Sequence, residues 1–298
     1  MSMLLSMVRS FEDSSLTCVD GVVTSGGQDD PMATRALCVG VNKYPNPRLE
    51  LKGCVNDAKA WATLLTEHYD FAKSDVTMLT DKRATKARVM TAIGTLLEGA
   101  TRGDVLVFTN SSHGTYRAEE GGDETLYDEA ICPYDCEDEL IIDDELRELF
   151  ADVPKGVRLT VIADNCHSGS STRGDDELDT PDDRRARFCD PRDLGLPFIE
   201  EVRQTARPRG EQLFPESGMN ELLLSGCRSD QYSYDARFGR RYQGAMSYFA
   251  QQLIAESDYR MTYGQLHRQL VPRLRDGNYD QEPQLEGRTA FKRRQLFT

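Results

Sequence analysis

Apolar and polar residues come in alternating blocks along this chain, and two of the apolar blocks stand out. Residues 105–108 and 157–163 are rich in Val, Leu and Ile and read as strands buried on both faces of a parallel sheet. Around them the pattern alternates between strand-like and helix-like periods. Residues 36–41 form an apolar strand, and Asn56 or Asp57 caps a helix with Ala58, Ala62, Leu65 and Tyr69 on one face. Residues 76–79 form a short strand, and Thr85 caps a helix with Val89, Ile93, Leu96 and Leu97 on its buried side. Gly103-Asp104 turns into the first of these two strands, at 105–108, residues 129–134 form a hairpin arm, and Asp143 opens a short helix to Phe150. A strand at 221–225, helices near 245–254 and 262–274, and a last strand near 284–285 complete the series. The alternation predicts an α/β fold with six core strands, mostly parallel, and helices on both faces. No internal repeat is visible.

Two stretches break this rhythm. Residues 1–33 are polar, contain Gly and Ser, and have no clear period. They read as a disordered leader, a short prodomain or non-native residues, with Met32 an alternative start. Residues 170–218 hold clusters of Pro, Gly, Asp and Arg and read as a long exposed linker, with some order at 194–202. The folded domain is then 34–298: a part at 34–169 with the chemistry-bearing strands, the linker, and a smaller part at 219–298.

Composition adds constraints. A hydrophobic fraction of 39% and a charged fraction of 29% suit a globular chain, and no apolar run approaches the ~18 residues of a membrane span. The net charge is −14, and between Glu119 and Glu148 there are 14 acidic residues against one basic residue, Arg147. Such a surface excludes nucleic acid as a partner and favours cations or basic peptides. The eight cysteines include no Cys-x-x-Cys pair. Cys132 and Cys136 make a poor zinc signal, so free thiols in a reducing cytosol are expected.

The strands at 105–108 and 157–163 both end in small polar residues and then a reactive side chain: Asn110-Ser111-Ser112-His113-Gly114 and Ala163-Asp164-Asn165-Cys166-His167. In open parallel sheets the site lies beyond the carboxyl ends of the strands, so neighbouring strands would deliver His113 and Cys166 to one edge. A thiolate is the nucleophilic form of cysteine, and a nearby imidazole favours it. A His about 50 residues upstream of such a Cys is a caspase-type spacing.

On these segments, together with Gly53-Cys54-Val55-Asn56-Asp57, Tyr127-Asp128-Glu129-Ala130-Ile131, Asp143-Asp144-Glu145-Leu146 and Leu224-Ser225-Gly226-Cys227, the chain resembles the caspase-like cysteine peptidases. Within them it is most similar to type I metacaspases and their bacterial relatives. It lacks the Gln-Ala-Cys-x-Gly signature of animal caspases, which argues against cleavage after Asp. The resemblance implies a caspase-like three-layer sandwich, with Cys166 as nucleophile, His113 as proton donor to the leaving amine, and the N–H groups of Gly114 and Cys166 as an oxyanion hole. It implies a pocket for a basic side chain built on Asp57 and Asp164, lined by Cys54 and Ser111. It also implies calcium held by Asp128, Asp143 and Asp144; the fourth carboxylate is not aligned, since Arg173 stands near the expected position with Asp175 and Asp176 close by. His167 has no assigned chemistry.

The expected activity is a cytosolic, monomeric endopeptidase acting on Arg- or Lys-containing peptides or proteins. Calcium should raise its activity, and self-cleavage is expected in the linker after Arg184, Arg185 or Arg187. The rival readings are a catalytically silent caspase-like scaffold and a calcium-responsive binding module.

Overall fold

Every residue from Val105 to Ser111 is buried, and these seven residues form a strand near the middle of a six-stranded sheet. The computed structural model describes residues 32–118, 126–166, 183–196, 207–208 and 216–298. Its main sheet contains β1 (Thr34–Gly40), β2 (Val76–Thr80), β3 (Val105–Ser111), β7 (Arg158–Asp164), β10 (Glu221–Ser225) and β13 (Gln284–Glu286). They lie in the order β13-β10-β7-β3-β1-β2. Only the edge strand β13 runs antiparallel to its neighbour. The strands predicted from the apolar runs are these six.

Residues of β3 point alternately to two cores. Val105 and Val107 join Trp61, Met246, Ile254 and Leu270, from helices α1 (Cys54–His68), α4 (Ala245–Glu256) and α5 (Tyr263–Asp276). Leu106 and Phe108 join Ile93 and Phe150, from α2 (Lys86–Leu97) and α3 (Asp143–Ala151). Burying each such side chain is worth roughly 1.5–3 kcal/mol, so both helical layers are held to the sheet by substantial apolar area. Trp61 Nε1 also donates to Ser247 Oγ at 3.2 Å, tying α1 to α4.

Two smaller sheets sit beside the carboxyl ends of the main strands. One contains β4 (Gly114–Ala118), β5 (Leu126–Ile131) and β6 (Ile141–Ile142), with β9 (Arg207–Pro208) pairing on β5. The other contains β8 (Arg184–Ala186), β11 (Tyr234–Phe238) and β12 (Arg241–Gly244), all antiparallel.

Two expectations are corrected. Helix α1 begins at Cys54 after Gly53, so neither Asn56 nor Asp57 is its N-cap. Asp57 is buried in the first turn, and its carboxylate accepts from the Gly244 N–H on both oxygens instead. The expected exposed linker fails over 183–196, whereas 216–218 are exposed as expected. Residues 183–196 pack against the domain because β8 supplies a third strand to β11, and Arg187 is completely buried. Order extends through the turn Pro191–Leu194. Residues 1–31 and, within the linker, 170–182, 197–206 and 209–215 lie outside the described residues.

Candidate active site

Strands β3 and β7 are adjacent and parallel, with Ser111 opposite Asp164. Two residues beyond each strand end stand His113 and Cys166, both buried. The His113 main-chain N–H donates to Tyr44 Oη at 3.0 Å, and the two rings lie 5.4 Å apart. Nε2 of His113 lies 2.9 Å from the Leu49 carbonyl oxygen. A carbonyl only accepts, so Nε2 carries the hydrogen and Nδ1 keeps its lone pair for proton transfer. Burial, reinforced by the Arg185 charge, lowers the His113 pKa to about 3, with the Leu49 carbonyl acting the other way. The imidazole is therefore neutral at pH 7.

The Arg187 main chain lies across these two strand ends. Its carbonyl oxygen accepts from the Gly114 N–H at 2.9 Å and from the Cys166 N–H at 3.3 Å. These are the two donors expected to form the oxyanion hole, and they converge on one peptide carbonyl. On the following side, Phe188 bridges to Gly114 and lies between the rings of Tyr116 and Tyr232, and Cys189 N–H donates to the Gly114 carbonyl at 2.8 Å.

The Arg187 guanidinium enters a pocket lined by three carboxylates. Nη2 is 2.6 Å from Asp57 Oδ2 and 3.3 Å from Asp235 Oδ1; Nη1 is 3.3 Å from Asp164 Oδ2 and donates to the Asp164 carbonyl at 2.9 Å. Each carboxylate is oriented by other donors. Ser233 Oγ and the Ser247 N–H donate to Asp164 at 2.6 and 3.0 Å. The N–H groups of Lys52 and Gly53 donate to Asp235 at 2.7 and 3.2 Å. A Cβ at Gly244 would collide with the Asp164 carboxylate and the Arg187 guanidinium, so glycine is required for the pocket wall to close this tightly.

The pocket's charges respond to burial. Desolvation pushes the Asp57 carboxyl up to about 7 despite the opposing effect of Arg187. Desolvation likewise raises Asp235. Burial alone would lower the Arg187 pKa, but Cys54 and the three carboxylates outweigh it, so the guanidinium stays charged. Cys54 is buried beside this cluster, and burial raises its thiol well above the ordinary range. Ser111 neighbours Asp164 across the β3–β7 ladder.

Among the residues named from sequence, the fold thus gathers His113, Gly114, Cys166, Cys54, Asp57, Ser111 and Asp164 around Arg187. Arg184 and Arg185 lie on the same strand but outside the carboxylate pocket. Asp235 is the functional residue that sequence reasoning missed. Its one signal is a lone carboxylate between Tyr234 and Ala236 in an otherwise strand-like run. Cys227 was named only within a motif; its thiol lies against Cys166, and that hydrogen bond together with burial raises its pKa. His167 lies outside the described residues.

Asp128, Asp143 and Asp144 form a separate acidic region on β5 and the start of α3. Asp128 is buried, 3.6 Å from Arg117 Nε across the β4–β5 pair. Arg147 pairs with Asp143 at 3.0 Å and with Asp144. Hard oxygen donors of this kind suit calcium, although among the described residues no group of three or more His, Cys, Asp or Glu side chains is placed to hold a metal ion. Asp175 and Asp176 lie outside the described residues. Among the described residues seven cysteines are free and buried, and no described helix is long and apolar enough to cross a membrane.

Comparison with known proteins agrees with this arrangement. A family model described as the metacaspase, peptidase C14 domain matches residues 34–173. Metacaspase-1 of Arabidopsis thaliana is 34% identical over 264 residues, covering 83% of this chain and 66% of that protein. Metacaspase-1 of Scheffersomyces stipitis is 30% identical over 288 residues, covering 84% and 70%. A crystal structure of a Geobacter sulfurreducens protein aligns with a TM-score of 0.68 at 27% identity, covering 89% of this chain and 98% of that one. The chain spans about two thirds or less of some of these relatives, falling to 34% of Arabidopsis thaliana metacaspase-4. With a mostly parallel six-stranded sheet, a His and a Cys at adjacent strand ends and full-domain similarity of this extent, the chain belongs to the metacaspases, a family of caspase-like cysteine peptidases.

Proposed function

We propose that this chain is a cysteine endopeptidase that cleaves after Arg or Lys, and that its own segment 184–189 lies in the cleft as a self-substrate. One observation carries the reading. The Arg187 carbonyl accepts from Gly114 and Cys166 N–H groups while its guanidinium is held by Asp57, Asp164 and Asp235. A peptide bond in that register has its carbonyl polarised and its side chain bound by charge-assisted hydrogen bonds.

In this mechanism Nδ1 of the neutral His113 takes the Cys166 thiol proton, the resulting thiolate attacks the Arg187 carbonyl carbon, and the developing oxyanion is stabilised by the two N–H groups. His113 delivers a proton to the leaving Phe188 nitrogen as the C–N bond breaks, giving a thioester. Water, deprotonated by His113, then attacks the thioester and restores the thiol. Before cleavage Arg187 fills the pocket and blocks other substrates; afterwards the anionic pocket is open to Arg or Lys in trans. Among the three candidate arginines the reading selects Arg187, with the cut between Arg187 and Phe188.

Calcium belongs to the same proposal. Asp128, Asp143 and Asp144, not gathered into a metal-holding group as they stand, would have to be drawn together around it, with Arg147 displaced from Asp143 and Asp144. A bound calcium would supply positive charge beside β5, whose neighbour β4 carries Gly114 at its start. We read the free thiols as those of a cytosolic protein, and the chain as a monomer.

The test is mass spectrometry of purified protein incubated with calcium or chelator, beside Cys166→Ala. We expect a single new terminus at Phe188 in the wild type and an intact Cys166→Ala chain. The same cut in both, or efficient cleavage of Asp peptides in preference to Arg peptides, would refute the proposal. A silent scaffold would show no cut and no turnover of Arg reporters.

A further inference from the structure

Three residues before Arg187, the Arg184 side chain occupies a site of its own. Strand β8 pairs with β11 in the register Ala236–Arg184, Asp235–Arg185 and Tyr234–Ala186. The Arg184 guanidinium carbon sits 4.0 Å from the centre of the Tyr279 ring. Its Nη1 donates to the Asn278 carbonyl at 2.6 Å, and Nη2 to the Gly277 carbonyl at 3.2 Å. Both carbonyls belong to the carboxyl end of α5, where Gly277 is the C-cap. Asn278 follows in the left-handed region, with φ of 62°. The last carbonyls of a helix lack intrahelical donors and carry the negative end of its dipole, so this end suits a cation. The ring is also fixed in place: Tyr279 is buried and packs against Tyr234, Phe238 and Phe249 at 5.9 to 6.1 Å.

We infer that Tyr279 and the Gly277 and Asn278 carbonyls form a second specificity site, which takes an arginine three residues before the cleaved bond's Arg. This rests on the proposed cleavage after Arg. A planar guanidinium can stack on the ring while its two edge nitrogens reach separate carbonyls; the compact ammonium of Lys cannot do both. The preferred substrates are therefore chains that read Arg-x-small-Arg. The small residue matches Ala186, which is partly buried between the two arginine sites. Arg185 bonds to the Glu50 carbonyl at 2.6 Å and to the Arg48 carbonyl, but its side chain is exposed. We therefore assign the stronger selection to the Arg184 position.

The experiment uses four-residue reporter peptides on the calcium-treated full chain. Arg is fixed at the cleaved position and Ala before it, and the first residue is Arg, citrulline or norleucine. Citrulline keeps the shape and loses the charge. We expect kcat/KM for Arg to exceed that for norleucine about tenfold, with citrulline between them. In Tyr279→Leu this ratio should fall toward one while discrimination of Arg from Asp at the cleaved position persists. In cis, Arg184→Ala should slow appearance of the Phe188 terminus. Equal or better turnover of norleucine by wild type overturns this inference alone. Failure to turn over any Arg-terminated peptide overturns the underlying cleavage reading together with it.

Discussion

Replacing Arg187 by Gln, in a Cys166→Ala background that prevents cleavage, isolates what the guanidinium does for the fold. The side chain is fully buried and meets three carboxylates within 3.3 Å. Removing one partner from a buried ionic cluster costs roughly 3–5 kcal/mol, because the remaining charges keep their desolvation penalty. The loss should also depend on pH in a defined direction. Asp57 has its carboxyl raised from 3.8 to about 7 by burial, and Arg187 works against that rise. Without the arginine the folded-state pKa moves higher still, while the unfolded value is unchanged. A raised carboxyl costs stability as pH climbs from its unfolded to its folded pKa. In the Arg187 protein that decline ends near 7; in Arg187→Gln it continues above 7. The stability difference between the two should therefore be nearly constant below pH 7 and widen above it, by about 1.4 kcal/mol per pH unit. Urea unfolding of both proteins from pH 6 to pH 9 measures this. Equal stability at every pH would refute the argument that Arg187 anchors the strand, and a gap that narrows with rising pH would refute the assigned sign.

Other substitutions separate the parts of the site. Asp235→Asn should lower kcat/KM for Arg reporters by one to two decades, through KM more than kcat, because Asp57 and Asp164 still hold the guanidinium and keep the carbonyl in register; unchanged kinetics would remove Asp235 from the pocket. Gly244→Ala should obstruct the same pocket, and loss of Arg turnover with an unchanged far-UV spectrum is the expected readout. His113→Ala should reduce self-cleavage by several decades, as for loss of any member of a cooperative catalytic unit, which a time course by mass spectrometry would detect. Calcium should accelerate that cleavage and magnesium substitute poorly, since magnesium demands tighter octahedral coordination. Asp143→Asn should weaken calcium uptake by calorimetry, whereas Arg147→Gln should strengthen it by removing the competing cation.

How much of this was readable in the sequence depended on how local each signal is. The strands that carry His113 and Cys166 were legible because apolar runs rich in β-branched residues have few alternatives, and the polar residues that end them stand next to the reactive side chains. Asp57 was legible as a pocket residue by resemblance, but its local reading as a helix cap failed. The helix starts three residues earlier, and the carboxylate is used by Gly244, which is distant in the chain. Asp235 carried almost no local signal. Its role exists only once β11 is laid beneath the Lys52-Gly53 turn. Arg187 was one of several arginines in a polar segment, and no property of the residue itself set it apart from Arg184 or Arg185.

What distinguishes Arg187 is register, and register comes from pairing. Arg185 lies opposite Asp235 on β11, and Ala186 opposite Tyr234. That places the next carbonyl between the Gly114 and Cys166 N–H groups. A slip by one residue would turn every side chain to the other face. Ala186 would then stand at the carboxylates, and Arg187 would lose all three partners. The pairing is only three residues long, so backbone hydrogen bonds alone specify it weakly. The two flanking arginine sites fix it instead: Arg184 against Tyr279 at one end and Arg187 among Asp57, Asp164 and Asp235 at the other. The interactions that hold this segment in the folded chain are thus the same ones that would align a foreign peptide. A peptide with only one of the two arginines would bind with its reactive carbonyl less securely placed, and misplacement of that carbonyl costs rate as well as affinity. This is why the two-arginine substrate should gain in kcat and not only in KM.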